Sequence, residues 1–226
     1  MRKGEATRER ILDIAQAAVL EKGFGATSIE EIIAAAGITK SGFFYHFRDK
    51  NELAYALLDR YLNDDMKILG EVFDRAADLC DDPLQSFLVG LKLLAEIFAD
   101  LPGGHPGCMI ASICYQERLF DRRVLELNRV AVESMNARFR RHLEAIAAVY
   151  PPAEPIDLDT LAEMASCVID GGIIMSRVMA DSNRLVQQIL GYRALIKRHF
   201  SPAQELALQP PPNVTAVNLR ARVVSG

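Results

Sequence analysis

The sequence lacks the short motifs of several enzyme classes, and it also lacks a membrane-spanning segment. It contains no glycine-rich phosphate loop after a strand, no His-x-x-x-His pair and no nucleophile elbow. Charged residues interrupt every long apolar stretch, so no run reaches the ~18 residues that a transmembrane helix needs. We therefore expect neither an enzyme nor a membrane protein.

Cysteine is scarce, and the four cysteines are not spaced as metal ligands. Because the sequence shows no signal peptide, we expect reduced thiols and a cytoplasmic protein. A nucleophilic pair of His105 and Cys108 can be drawn, but a loop histidine beside a cysteine of an apolar helix is more often structural. We expect no catalytic residue, no metal and no cofactor.

The formal net charge of −4 argues against a protein that coats nucleic acid along its whole surface. The charge is uneven along the chain. Residues 1–50 hold eight basic and seven acidic side chains, whereas the remainder holds eighteen and twenty-three. A near-neutral N-terminal part on an acidic remainder is a mild asymmetry, which indicates little by itself.

Residues 28–53 contain three helix starts in close succession. Each start has a residue type that caps helices, namely Ser28, Thr39 and Asp49. Gly37 supplies the left-handed residue that ends the first of these helices. Two short helices joined by a glycine-containing turn form a helix-turn-helix, whose second helix lies in the DNA major groove.

The second helix has side chains that suit DNA reading. Phe43 and Phe47 are four residues apart, so they share one face and can anchor the helix in the core. Lys50 lies in the first turn of the next helix, where its charge and the free backbone N–H groups favour a phosphate. The residues that we expect to contact DNA are Ser28, Thr39, Lys40, Ser41, Gly42, Phe44, Tyr45, His46 and Lys50.

The run GITKSGFFYHFRDKNEL, Gly37 to Leu53, resembles the signature of the TetR family of transcriptional regulators. The phenylalanine and the lysine of that signature match Phe47 and Lys50. Phe44 stands where the family usually has tyrosine, so the tyrosine hydroxyl that contacts phosphate in many members is missing here. The resemblance covers about the first 55 residues and implies a sequence-specific regulator.

Helical periodicity continues through most of the remaining chain. We expect the first helix to begin at Thr7, after a frayed start at residues 1–6. A pattern without proline runs from Asp49 to about Cys80, or ~45 Å at ~1.5 Å per residue, with candidate bends at residues 63–65 and at Gly70. Proline and glycine mark the later breaks.

The expected fold is all-α, with about nine helices. An N-terminal three-helix helix-turn-helix DNA-binding domain, residues 1–53, precedes a helical ligand-binding and dimerisation domain, residues 54–200. Residues 201–226 hold three consecutive prolines and some strand-like alternation, which predicts an extended or mobile tail.

The resemblance implies that the helical body binds a small molecule. An apolar cavity with a few polar groups would serve that purpose, although ordinary core packing explains each residue on its own. The candidate pocket residues are Phe73, Phe98, Met109, Cys114, Tyr115, Met135, Cys167 and Met175.

The last two predicted helices carry long apolar stripes, and the first of them is nearly apolar all round. By resemblance, this pair would meet its mate across a two-fold axis, which also suits a palindromic operator. The alternative is an ordinary buried helix pair within one subunit. The candidate interface residues are Met164, Val168, Gly172, Leu185, Ile189, Tyr192 and Ile196.

These patterns together favour a homodimeric regulator that a small-molecule effector of unknown identity releases from a palindromic double-stranded DNA operator. Two alternatives stay open. One is an all-α module that uses its aromatic helix on a protein partner. The other is a helical small-molecule-binding protein without a DNA function.

Overall fold

The computed structural model describes residues 3–201, so the tail predicted from residue 201 lies almost entirely outside the described residues. Between residues 3 and 201 the chain forms nine α-helices and one 3-10 turn, as the all-α prediction expects. The helices are α1 (Lys3–Lys22), α2 (Ile29–Ala36), α3 (Lys40–His46), α4 (Lys50–Leu79), α5 (Pro83–Ala99), α6 (Met109–Cys114), α7 (Arg122–Val149), α8 (Leu158–Val178) and α9 (Asn183–Phe200), with the 3-10 turn at Glu117–Leu119.

The three predicted helix starts are present, each with its predicted cap. A side-chain oxygen of Ser28, Thr39 or Asp49 accepts a hydrogen bond from the backbone N–H three residues further on, at 3.1, 3.1 and 2.8 Å. These bonds satisfy N–H groups that a helix leaves without a partner at its first turn. Gly37 ends α2 in the left-handed conformation, with φ of 62°.

One prediction about helix bounds was wrong. The first helix begins at Lys3 rather than at Thr7, and Glu5 in its first turn has a charge that the helix dipole favours. Helix α4 is continuous from Lys50 to Leu79 and is not interrupted at residues 63–65 or at Gly70, where the sequence offers candidate bends. Packing on both ends of α4 outweighs the low helix propensity of those residues.

The buried apolar residues form two clusters. The head cluster lies beneath α1, α2 and α3 and includes the fully buried Phe43, but α4, α6 and α7 also contribute, for example through Ile113 and Val124. The body cluster lies among α4, α5, α7, α8 and α9, around Phe87 and Phe139. We call α1–α3 the head and α5–α9 the body; α4 takes part in both clusters.

Two side chains of the body also hold the head in place. The Gln116 Oε1 atom accepts a hydrogen bond from the Gly25 N–H at 2.7 Å. The Arg177 guanidinium, near the end of α8, donates to the backbone carbonyl of Leu20 at 3.0 Å. The orientation of the head is therefore fixed at two points besides α4. Within the remaining chain, Asn51 in α4 accepts a bond from the Asp121 N–H at the start of α7, at 2.9 Å.

Among the described helices, none combines the length and the apolar character that a bilayer crossing requires.

Candidate DNA-binding head and body cavity

Helix α3 is held by two buried rings and exposes the side chains between them. Phe43 and Phe47 are 0% and 1% exposed, with ring centroids 5.7 Å apart, as their spacing predicted. Tyr45 is 81% exposed and Phe44 is 42% exposed. Exposure of these rings to water is unfavourable, and contact with a partner surface would remove that cost.

The N-terminal turn of α3 is slim and polar. Ser41 and Thr39 lie with their hydroxyl oxygens 3.0 Å apart. A Cβ atom at Gly42 would lie 3.2 Å from the Thr39 hydroxyl oxygen, so the absence of a side chain there keeps this cap undistorted. The Lys40 side chain is 71% exposed, and its ion pair with Glu30 at 3.9 Å is too long and too exposed to immobilise it.

The predicted contact residues do not all have the same surroundings. Ser28 is exposed at the start of α2, where its hydroxyl already serves as the cap. His46 is half-buried, with its ring 5.0 Å from that of Tyr45 and close to Gly4 at the start of α1. His46 therefore lies at the junction of α1 and α3 rather than on the open face.

Lys50 has a partner within the protein that the sequence did not predict. Its ammonium group donates a hydrogen bond to the Phe24 carbonyl at 2.8 Å and lies 4.6 Å from the centroid of the Phe24 ring. Burial lowers the pKa of Lys50. The side chain thus ties the turn before α2 to the first turn of α4, and the ammonium group has two further N–H donors with which to make the predicted phosphate contact.

Arg48 is a second basic side chain close to α3, and the sequence analysis did not include it among the contact residues. It lies two residues after the end of α3, and its side chain is 76% exposed, with one contact to Asp49 at 3.2 Å. A basic residue just after a reading helix is visible in the sequence, but its exposure is not.

An apolar cavity of about 280 Å³ opens within the body. Its walls come from α1, α4, α5, α6, α7, α8 and the loop before α6. Two of the predicted pocket residues, Phe98 and Met135, line it. The head also reaches it, because Gln16 and Leu20 of α1 form part of the wall.

The other predicted pocket residues do not line this cavity. Phe73 and Met109 are 3% and 1% exposed and belong to the close-packed interior. Cys114 and Tyr115 lie at the surface beside Gly25. Cys167 and Met175 line a shallow cleft on the outer side of α8. Periodicity identified these residues as apolar helix positions but did not determine which neighbour each one faces.

The cavity wall contains three acidic side chains, Asp64, Asp65 and Asp170. Burial, together with the smaller effect of the charges of Asp64 and Asp170, raises the pKa of Asp65 to about 7. Burial also raises the pKa of Asp170. It raises the pKa of the Cys108 thiol to about 12, so that this group is not a reactive thiolate at neutral pH.

Most of the predicted dimer residues lie inside the subunit. Leu185, Ile189, Tyr192 and Ile196 are at most 4% exposed, because this stripe of α9 packs against α5 and α8. Gly172 is covered as well, since a Cβ atom there would lie 3.0 Å from the backbone of Leu185. The assignment of these five residues to an interface between subunits was therefore wrong.

The opposite face of the α8–α9 pair is exposed and apolar. Met164 and Val168, which were predicted at the interface, border the outer cleft there. Met175, Val178 and Leu195 are 46%, 71% and 42% exposed. Most residues predicted at the dimer interface thus lie inside the subunit, whereas Cys167 and Met175, which were predicted in the pocket, lie on its outer surface.

The head has three helices, and α3, the second helix of the α2–α3 pair, is capped by Thr39 and anchored by Phe43 and Phe47. This arrangement defines a helix-turn-helix protein. Residues 11–57 match the model of the family described as bacterial regulatory proteins, tetR family. The DNA-binding part of this chain is thus similar to that of the TetR family.

Two curated relatives from Pseudomonas putida align with less than half of this chain. The probable HTH-type transcriptional regulator ArpR is 31% identical over 101 residues, which is 44% of each chain. The HTH-type transcriptional regulator TtgR is 33% identical over 104 residues, again 44% of each chain. The alignments thus span less than half the length of these relatives.

The fold is shared over nearly the whole described chain. A TetR-family transcriptional regulator from Agrobacterium tumefaciens superposes with a TM-score of 0.73 at 19% identity, over 88% of this chain and 100% of that one. At this identity the likeness establishes the arrangement of helices, a helix-turn-helix head on a helical body, and not what the body binds.

Proposed function

We propose that this protein is a sequence-specific DNA-binding regulator, which acts as a dimer and leaves its operator when a small molecule fills the body cavity. The observation that supports it best is the surface of α3, where buried Phe43 and Phe47 hold Lys40, Ser41 and Tyr45 outward. A cytoplasmic location would follow from this function.

Different side chains of the head would contact the DNA phosphates and the base edges. Arg48 is a mobile cation beside the reading helix, suited to the DNA backbone. Tyr45, on the most exposed part of α3, would enter the major groove and contact base edges. The slim turn at Ser41 and Gly42 would allow close approach of the phosphate backbone.

We expect Arg48→Ala and Tyr45→Ala to change DNA binding in different ways. Arg48→Ala should weaken binding to all duplexes similarly and lower the salt slope by about one, because one phosphate contact is lost. Tyr45→Ala should reduce discrimination between operator and scrambled duplex by about tenfold. The operator is first selected from a random duplex pool, and affinities are then measured at two or more salt concentrations.

Tyr115→Ala is the matched control, since Tyr115 is 77% exposed on the body. It should leave the affinity and the discrimination unchanged. If the protein selected no sequence, or bound duplexes without salt dependence, an all-α protein-interaction module would become the better explanation.

Dimerisation would use the exposed face of α8 and α9 rather than the stripe predicted from the sequence. Large apolar side chains such as Met175 and Val178 lie together there, and patches of this kind mark interaction surfaces. A two-fold dimer would present two α3 helices to half-sites about 34–36 Å apart. The exposed stripe continues onto α9 at Leu195.

We expect Met175→Glu to weaken the dimer by at least about 100-fold while the helix content is retained, because a carboxylate would be buried without a partner in the dimer. Sedimentation over a concentration series measures this change. The control is Val149→Glu at the end of α7, where Val149 is 56% exposed. A Met175→Glu variant that dimerises like the parent would place the interface on another surface.

Ligand and DNA would be coupled through elements that touch both sites. Tyr61, Asp65 and Ile68 of α4 line the cavity, while the first turn of α4 packs in the head. Leu20 of α1 lines the cavity as well. A ligand that prefers one arrangement of α1 and α4 would shift the spacing of the two heads, and DNA would weaken ligand binding by the same factor.

A further inference from the structure

We infer that the body cavity takes an organic cation, namely an amine or quaternary ammonium group carried on a compact apolar body. The inference rests on the proposed ligand-responsive function and names the chemical class of the ligand. It is carried by the position of three carboxylates around a largely apolar cavity whose other polar side chains are Gln16, Tyr61, His105 and Cys108.

The cavity has the size and the walls of a site for a small apolar molecule. Its volume of about 280 Å³ lies near the lower end of the usual range for small-molecule sites, ~300–1,000 Å³. Leu69, Phe98, Ile169 and Ile173 supply apolar surface from three different helices. Such walls favour a hydrocarbon body, because its transfer from water is favourable.

The charged groups in the wall all have the same sign. Asp64 and Asp65 reach the cavity from α4, and Asp170 reaches it from α8. Among the described residues that line the cavity there is no lysine or arginine. His105 is the remaining basic group, and burial lowers its pKa, so it is neutral at pH 7. The cavity wall thus holds three acidic groups and no lysine or arginine among the described residues that line it.

A cation is the ligand that best compensates this arrangement. An anion would be repelled by the ionised carboxylates, and a neutral molecule would leave them with only the hydrogen bonds from Tyr61 to Asp65 and from Cys108 to Asp170, without an opposite charge. A metal ion is disfavoured, because residues 3–201 contain no group of three or more His, Cys, Asp or Glu side chains that could hold one. The ammonium group would lie between α4 and α8, with its apolar body against Phe98.

Proton binding competes with the cation. With a pKa of about 7, Asp65 is substantially protonated at neutral pH in the empty cavity. A bound cation favours the ionised carboxylate, so binding releases a proton, and affinity rises as the pH is raised from 6 to 8. The titratable groups that face Asp65 are Tyr61, Asp64, His105, Cys108 and Asp170.

Three probes of similar shape test the inference by calorimetry on the full chain without DNA. Benzyltrimethylammonium is the cation, neopentylbenzene is its neutral carbon isostere, and phenylmethanesulfonate is an anion. At pH 8 we expect the cation to bind at least about tenfold more tightly than the other two, and we expect this preference to shrink at pH 6.

Variants of the two more buried carboxylates complete the test. Asp65→Asn and Asp170→Asn should each weaken cation binding by about tenfold without weakening the neutral probe. Asp78→Asn is the control, because Asp78 is exposed on α4 outside the cavity. Equal affinities for the three probes, no binding of any probe, or an unchanged cation affinity in Asp65→Asn would each overturn the inference.

Operator titrations with and without saturating benzyltrimethylammonium separate this inference from the proposed function. Cation binding that leaves operator affinity unchanged would support the site and contradict release by ligand. Salt-dependent operator binding together with a preference for the anion would support the regulator and overturn the cation site.

Discussion

Replacing Phe43 with alanine is expected to lower the free energy of unfolding by about 3–5 kcal/mol and to abolish operator binding. Phe43 is 0% exposed, with Phe47 and Phe44 at centroid distances of 5.7 and 5.4 Å. Truncation leaves a cavity at the centre of the head. Helix α3 has only seven residues, too few for stability without tertiary contacts, so the loss of its anchor frees the reading surface.

Phe44→Ala is the matched control for this prediction. The same side chain is removed from the adjacent position, but Phe44 is 42% exposed, so the cost in stability should stay below ~1 kcal/mol. Urea unfolding followed by circular dichroism measures both variants. Equal costs for the two substitutions would show that Phe43 does not anchor α3.

Asp65→Asn is expected to stabilise the protein at pH 8 and to change its stability little at pH 4. The pKa of Asp65 is raised from 3.8 to about 7, so between these values the folded state holds a proton that the unfolded state has released. Stability therefore falls as the pH rises from about 4 to about 7. At about 1.4 kcal/mol per pKa unit, reduced by screening where water reaches the side chain, the gain at pH 8 is about 2–4 kcal/mol.

Urea midpoints at pH 4, 6 and 8 measure this difference. Asp78→Asn removes an exposed carboxylate from the same helix and should follow the parent within about 0.5 kcal/mol at every pH. Parallel pH profiles for the parent and for Asp65→Asn would mean that Asp65 is no more protonated when folded than when unfolded.

The sequence predicted the head well because the interactions that build it are local. A cap such as Thr39 bonds to an N–H three residues away, and Phe43 and Phe47 share a face through helical spacing alone. These features need no knowledge of the remaining chain. Lys50 is the exception within the head, because its partner Phe24 is 26 residues away in sequence.

The body was predicted less well because its faces depend on distant partners. Helix α9 has one strong apolar stripe, and the sequence alone does not tell whether its own subunit or a second copy covers that stripe. The subunit covers it, through α5 and α8, and the hydroxyl of Tyr192 donates to the carbonyl of Leu161 at 2.8 Å. The weaker stripe through Met175 is left on the surface.

The sequence did not predict the acidic character of the cavity, because this too depends on residues that are far apart along the chain. Asp64 and Asp65 follow an asparagine, and three consecutive polar residues in a long helix indicate a solvent-facing bend. In the folded chain Asp170 lies close enough to Asp65 to raise its pKa, although the two are far apart in sequence. Only the tertiary fold, which places α4 and α8 on the wall of one cavity, brings these carboxylates together.

The contacts of Gln116 and Arg177 with the head limit how such a protein can be recombined. A head exchanged between relatives as residues 1–53 would carry Gly25 and Leu20 onto a foreign body, without the two side chains that hold their backbone. It would also lose Ile113, which completes its buried cluster. The segment that must be exchanged to transfer an intact head is therefore larger than the helix-turn-helix. Chimeras that keep α6, the following turn and Arg177 of α8 with their native head should retain both the stability and the orientation of the head.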